Sequence, residues 1–295
     1  MIHPRNLPRV SLLVTDLDDT LWDWFAAWHA SFSAMLKKLS ELSGVPQRQL
    51  EQEIQAVHRR RGTSEYSYLL NELPSLLEKN PTSKPSEVYD EALHVQNKNR
   101  VQNTKLYEGV KETLQELQRR KVPVAAYTES ISYWSEWRIR RTGLDGLIKV
   151  MYSSPDHDFP NGISAQQLRT QPPSAYGLHK TVHKQVPPGV LKPNADVLRS
   201  ILSDFAVRPQ EAVYVGDSLM KDIVMAQDLG VHDVHAQYGV SHDKDGYNLL
   251  RRVSHWTSQD IEREKELSTR PTVTPSHVLP EGFAQILTMF RFEEA

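Results

Sequence analysis

The sequence predicts an α/β protein in which a parallel sheet is interrupted, after its first strand, by an all-helical segment. Three observations carry that expectation. Short apolar runs with many β-branched residues recur at 10–14, 122–127, 147–152, 212–215 and 231–234, with helix-period stretches between them. Such runs suit strands buried on both faces, and alternation of strand with helix implies right-handed crossovers. Residues 22–105 carry helical periodicity and no strand pattern. Finally, the run at 10–14 leads directly into Asp16, Asp18 and Asp19, three carboxylates within four positions.

In the helical segment, Phe32, Met35, Leu36, Leu39 and Leu42 recur at three and four and run to Ser43-Gly44, with Pro46 beyond. Leu50, Ile54 and Val57 predict a second helix stopped near Gly62. A third carries Tyr66, Leu69, Leu70, Leu73, Leu76 and Leu77 with Pro74 as a kink, and Ser86 caps a fourth carrying Val88 and Ala92. Residues 109–120 read as an amphipathic helix, with Val110, Leu114 and Leu117 on one face. The strand at 122–127 ends at Thr128, and a helix at 131–142 precedes the strand at 147–152.

Residues 155–189 are rich in Pro, Gly, His and Lys and read as an inserted loop, of the length associated with lids. Lys192-Pro193-Asn194 opens a helix through Phe205, with Pro193 suited to its first turn. The strand at 212–215 runs into Gly216-Asp217-Ser218, and a helix at 221–229 leads to the strand at 231–234. Residues 241–271 read as a second inserted loop, and 276–290 as an edge strand with a covering helix.

The 295 residues suffice for a sizeable core. With 35 Lys and Arg against 37 Asp and Glu, the charge balance points to no nucleic-acid and no membrane partner. The absence of cysteine excludes disulfides, thiolate metal sites and a cysteine nucleophile. No apolar run of signal-peptide or membrane-span length occurs, so the expected location is cytoplasmic.

In an open parallel sheet, ligands bind at the carboxyl ends of the strands. Asp16, Asp18, Thr128 and Asp217 all follow strands there, and Lys192 begins a helix. Taken alone, Asp18-Asp19-Thr20 is an ordinary turn and helix cap. Crowded carboxylates become tolerable when a divalent cation or a shared proton offsets their repulsion. Asp16, Asp18, Asp217 and Asp222 converging with Thr128 and Lys192 suggest Mg²⁺ and a phosphate.

These residues resemble the four motifs of the haloacid dehalogenase superfamily, in order. Asp16-Leu17-Asp18-Asp19-Thr20 resembles its DxDx(T/V) signature, Thr128 the second motif, and Lys192 before Pro193 the third. Gly216-Asp217-Ser218-Leu219-Met220-Lys221-Asp222 is similar to the GDxxxxD form of the fourth. One such motif is weak; four in sequence, covering 10–30 and about 106–290, are specific. The resemblance implies a Rossmann-like core at 1–21 and 106–295, a helical C1 cap at 22–105, and a phosphatase-type hydrolase.

It also implies roles. Asp16 attacks phosphorus to give an aspartyl phosphate, and Asp18 acts as general acid and base. Dehalogenase members lack that second acid. Thr128 and Lys192 hold the transferring phosphoryl group. Mg²⁺ is held by Asp16, the Asp18 carbonyl and Asp217, with Asp222 binding directly, acting through water, or orienting Lys192. The implied substrate is a small phosphomonoester, with protein phosphotyrosine also open. A phosphotransferase or phosphomutase on the same nucleophile, and a non-catalytic binding protein of the same fold, are the alternatives. Glu129 departs from the pattern: beside Thr128 it repels a phosphate dianion unless it points away or meets a substrate amine or hydroxyl. It therefore joins Thr128 and Lys192 as a candidate substrate-binding residue.

Other features have blander readings. Trp22, Trp24, Phe25 and Trp28 read first as packing of the cap on the core, and second as a stacking surface for a substrate ring. Tyr133, Trp134 and Trp137 read as helix packing. Arg59-Arg60-Arg61 reads as a solvated helix end. His179 and His183 have a zinc-pair spacing if helical but lack a third ligand; with Lys180, Lys184 and Arg169 they alternatively form a basic lid. Asp243-Lys244-Asp245-Gly246 begins like a calcium loop and lacks the closing glutamate.

Overall fold

The computed structural model describes residues 7–156, 159–160, 162–164, 177–241, 246–256 and 273–294. The chain opens with β1 (Arg9–Val10) and β2 (Leu12–Thr15), then passes through helices α1 (Trp24–Ser43), α2 (Gln47–Arg61), α3 (Pro74–Lys79), α4 (Pro85–Val88) and α5 (Asp90–Asn103). There follow α6 (Val110–Arg119), β3 (Val124–Ile131), α7 (Ser132–Thr142), β4 (Val150–Ser154), β5 (Val182–Gln185), α8 (Ala195–Asp204) and β6 (Ala212–Gly216). The last elements are α9 (Val224–Leu229), β7 (His232–His235), α10 (Tyr247–Val253), β8 (His277–Val278) and β9 (Arg291–Phe292).

Seven strands pair in the order β5-β4-β3-β2-β6-β7-β8, every neighbour parallel, and β1 pairs with β9 at one side. β2 is central and wholly buried, because both its faces are apolar. Leu13, Val213 and Val215 pack against α6 and Phe283 on one face; Leu12, Val14 and Tyr214 pack against α8 and Met225 on the other.

The chain leaves this sheet and returns to it through adjacent backbones. Tyr107 N–H bonds the Leu21 carbonyl at 3.0 Å, and Asp23 N–H bonds the Lys105 carbonyl at 3.3 Å. Between these points α1 is capped by the Asp23 carboxylate, which accepts from Ala26 N–H at 2.9 Å. Its end at Gly44 needs a left-handed residue, φ 68°. Pro74 begins α3, where its missing N–H is harmless, so the expected kinked helix is instead a 3₁₀ turn (Leu69–Glu72) and a separate α3. The expected fourth helix is likewise two, α4 and α5, and Ser86 lies inside α4 rather than capping it.

The two stretches read as loops contain secondary structure. Val182–Gln185 is an edge strand on β4, so His183 is extended and the helical zinc-pair spacing does not arise. Its ring is engaged at both nitrogens, with Glu136 Oε1 and Ser153 Oγ each 2.8 Å away. Tyr247–Val253 is a helix, α10, whose Leu249, Leu250 and Val253 join Phe25, Trp28, Phe32, Ile54 and Val57 in one apolar cluster. His58 on α2 donates from Nδ1 to the Val253 carbonyl at 2.6 Å. The final covering helix is 3₁₀ (Phe283–Thr288). Arg169 and the start of the calcium-like loop, Asp243-Lys244-Asp245, lie outside the described residues. Among the described residues no helix is long and apolar enough to cross a membrane.

Candidate active site

The Asp16 N–H continues the ladder of β2 by bonding the Val215 carbonyl at 2.8 Å, which fixes Asp16 at the carboxyl edge of the sheet. The chain then turns sharply. Asp19 adopts a left-handed conformation, φ 55°, and its Oδ1 accepts from Phe25 N–H at 3.1 Å. The segment after β7 grips this turn: Tyr238 OH donates to the Thr20 carbonyl at 2.6 Å. Gly239 lies so close that a Cβ there would sit 1.7 Å from the Asp19 carbonyl oxygen.

Lys192, on the chain leading into α8, reaches the same edge. Its buried ammonium donates to Asp16 Oδ1 at 2.7 Å and Asp222 Oδ1 at 2.9 Å, and it lies between the rings of Tyr127 and Tyr214. It precedes α8 rather than opening it: Asn194 is the cap, and Pro193 stands outside the first turn. Burial works against the ammonium, but Asp16 and Asp222 outweigh it and hold its pKa well above the ordinary lysine value. Asp222 is engaged at both oxygens, by Lys192 and Tyr214 OH (3.0 Å) on one and Ser218 N–H (3.1 Å) on the other.

Asp16, Asp217 and Asp222 each bring one oxygen into a group spanning no more than 4.8 Å. Burial raises Asp16 well above the usual carboxylate range; Lys192 pulls the other way, and Asp222 and Asp217 add to the rise. Asp217 is raised well above its ordinary value too, by burial and then by Asp222 and Asp19. Three crowded carboxylates against one ammonium form the donor set a hard divalent cation fits. Asp16 retains its second oxygen, and the Asp217 carboxylate takes no hydrogen bond from another described residue. Those two are therefore the open ligands, while the geometry of Asp222 suits it to holding Lys192.

Thr128 is buried on β3, its Oγ1 accepting from Ser130 N–H at 3.0 Å. Glu129 points away from Thr128's side of the strand. Its oxygens accept from the Lys192 N–H (2.7 Å) and the Lys221 ammonium (2.6 Å), so its carboxylate clasps the chain itself. Burial raises its pKa, yet Lys221 and Lys192 prevail and hold it below the usual value.

Asp18 has partners that sequence reading missed. Trp22 Nε1–H donates to Oδ1 and Ser130 OH to Oδ2, each at 2.7 Å. Trp22 thus packs in the core, as expected, and also holds a site carboxylate. Arg138 Nη1 lies 3.6 Å from Asp18 Oδ1, and its Nη2 bonds Glu65, on the loop after α2. Trp24 Nε1–H donates to the Glu65 carboxylate at 3.2 Å, and Trp134 Nε1–H to its carbonyl at 2.9 Å. Trp134, read as helix packing, therefore ties α7 to that loop. A cavity of about 210 Å³ lies beside it, lined in part by Trp28, Ser64, Glu65, Arg100, Tyr133 and Trp134. Arg60 and Arg61 pair with Glu72, a structural use of the arginine run.

Residues 10–230, with the acid turn, Thr128, Lys192 and Asp217 inside them, match the family model described as haloacid dehalogenase-like hydrolase. The chain belongs to that family. A second, HAD-hydrolase-like model matches residues 190–279. Among solved structures, this haloacid dehalogenase-like hydrolase is similar to a 2-haloacid dehalogenase from Pseudomonas syringae pv. Tomato DC3000. Identity is 20%, coverage is 95% of this chain and 97% of the other, and the TM-score is 0.50. A predicted phosphoglycolate phosphatase from Haemophilus somnus 129pt is also similar, at 15% identity, 95% and 97% coverage, and a TM-score of 0.47. A glyceraldehyde 3-phosphate phosphatase from Pyrococcus furiosus is 41% identical over 51 residues, 17% of this chain and 21% of that protein. Haloacid dehalogenase-like hydrolases generally use a divalent metal, and the Asp16–Asp217–Asp222 cluster is where this chain offers a place for one.

Proposed function

We propose that the protein is a Mg²⁺-dependent phosphatase acting on a small phosphomonoester through an aspartyl-phosphate intermediate. The observation that carries this reading is the pairing of two acids in different settings. Asp16 is tied to Lys192, and Asp18 is oriented by Trp22 and Ser130. In the first step an Asp16 oxygen forms a bond to phosphorus as the bond to the leaving oxygen breaks, and Asp18 gives that oxygen a proton. In the second, water attacks the phosphoryl group, Asp18 takes its proton, and the bond to Asp16 breaks to release inorganic phosphate.

Thr128 hydrogen-bonds the phosphoryl oxygens, and Lys192 balances their charge while keeping Asp16 aimed. Asp222 anchors Lys192, and Glu129, clasping Lys192 N–H and Lys221, holds the strand-end geometry. Bound Mg²⁺, held by Asp16, Asp217 and the Asp18 carbonyl, would supply charge neutralisation for two anions brought together. The cap reading of residues 22–105 gives the helical segment the task of covering the leaving group.

The test is Mg²⁺-dependent phosphate release from a panel of phosphomonoesters by wild type and Asp16→Asn. Activity in wild type that needs the metal and is lost by about 10⁴-fold or more in the variant supports the reading. A wild type inert across the panel overturns it.

A further inference from the structure

The link from Glu65 to Asp18 points to a role for two residues outside the four motifs. The side chain of Arg138 is 5% exposed, and it faces two carboxylates within ion-pair distance among the described residues: Glu65 and Asp18. Toward Glu65 it forms a hydrogen bond; toward Asp18 it stops at 3.6 Å, and Nη1 has no hydrogen-bond partner. A buried guanidinium that loses one of two carboxylates is left as an uncompensated charge, which drives it onto the other. Asp18, meanwhile, already has a neutral donor on each oxygen.

Resting on the phosphatase reading, we infer that Glu65 and Arg138 are a positioning pair. Glu65, on the loop that Trp24 and Trp134 pin to the sheet edge, holds Arg138 off Asp18 and leaves the carboxyl aimed by Trp22 and Ser130. When the loop is not seated, Arg138 closes on Asp18, displaces those two donors and turns the carboxyl away from the leaving oxygen. Proton delivery is thereby efficient only with the loop in place.

The experiment compares wild type, Glu65→Gln, Arg138→Met and the double variant on two substrate classes. Alkyl phosphates such as glycerol phosphate need the departing oxygen protonated; p-nitrophenyl phosphate leaves as a stable anion and does not. Glu65→Gln is expected to lower kcat/KM, which reports the step that expels the leaving oxygen, on alkyl phosphates by about 100-fold, within the range of general acid catalysis, and on p-nitrophenyl phosphate by less than about threefold. By contrast kcat, which includes hydrolysis of the shared aspartyl phosphate by Asp18-activated water, falls on both. Adding Arg138→Met removes the guanidinium that captures Asp18, so the double variant recovers alkyl activity to within about tenfold of wild type. Equal losses of kcat/KM on both classes, or a double variant worse than Glu65→Gln, overturn the inference while leaving the phosphatase reading intact. Wild type inert on both classes overturns the two together. Should Arg138→Met not fold, the split between classes in Glu65→Gln decides alone.

Discussion

Gly216→Ala is a small substitution with a large expected effect. Gly216 closes β6, locked between β2 and β7, where Val215 pairs with Thr15 and Gly216 with His235. A Cβ at 216 would lie 2.3 Å from Asp222 Cγ and Oδ2 and 2.5 Å from its Cβ. The requirement for glycine is therefore one of space. The strand backbone cannot yield, so Asp222 moves by an ångström or so and loosens its bonds to Ser218 N–H, Tyr214 OH and Lys192. Overpacking together with three weakened hydrogen bonds amounts to about 3 kcal/mol of lost stability. Lys192 follows Asp222, and misplacement on the order of 1 Å lowers kcat by about 100-fold. Urea unfolding followed by circular dichroism, with phosphate release measured in parallel, reads both effects. Asp222→Gly removes the obstruction, Cβ included, so Gly216→Ala added to Asp222→Gly should cost little more. A Gly216→Ala single variant with wild-type stability and kcat, or a full further loss on the Asp222→Gly background, would refute the steric argument.

Two further outcomes are expected. Burial of His58 lowers its pKa from 6.5 to about 4. The folded protein keeps the ring neutral while the unfolded chain binds a proton, so stability is complete above pH 6.5 and falls as the pH drops through 4. The loss is roughly 3 kcal/mol in total. The urea midpoint should decline over that window, and a His58→Gln variant with an unchanged slope would exclude His58 as the cause. Second, Mg²⁺ at about 100 times its Kd should stabilise wild type by about 3 kcal/mol and raise Tm by several degrees. Asp217→Asn should abolish the rise, and an equal rise in that variant would move the metal elsewhere.

Much of the site was legible because its chemistry sits where local pattern ends. Asp16, Thr128 and Asp217 each follow an apolar strand run, and parallel strands deliver their carboxyl ends to one edge. Errors fell where local pattern was silent. The edge strand at Val182–Gln185 is polar and half-exposed, so it lacks the apolar run that marks a buried strand. Pro74 is equally compatible with a kink and with a helix start, and only the chain direction after Leu73 separates them.

The sequence alone determined the layered α/β core, the helical segment after the first strand, and the residues gathered at the sheet edge. These follow from periodicity and from the way a parallel sheet orients its strand ends. Tertiary structure decided what each acid touches. Arg138 and Glu65 are 73 positions apart, and Ser130 lies 112 from the Asp18 it holds. It also decided that α10, far along the chain, packs with α1 and α2. Contacts across such separations leave no mark on the neighbouring residues, because many donors or apolar side chains could occupy either position until the fold brings one pair together.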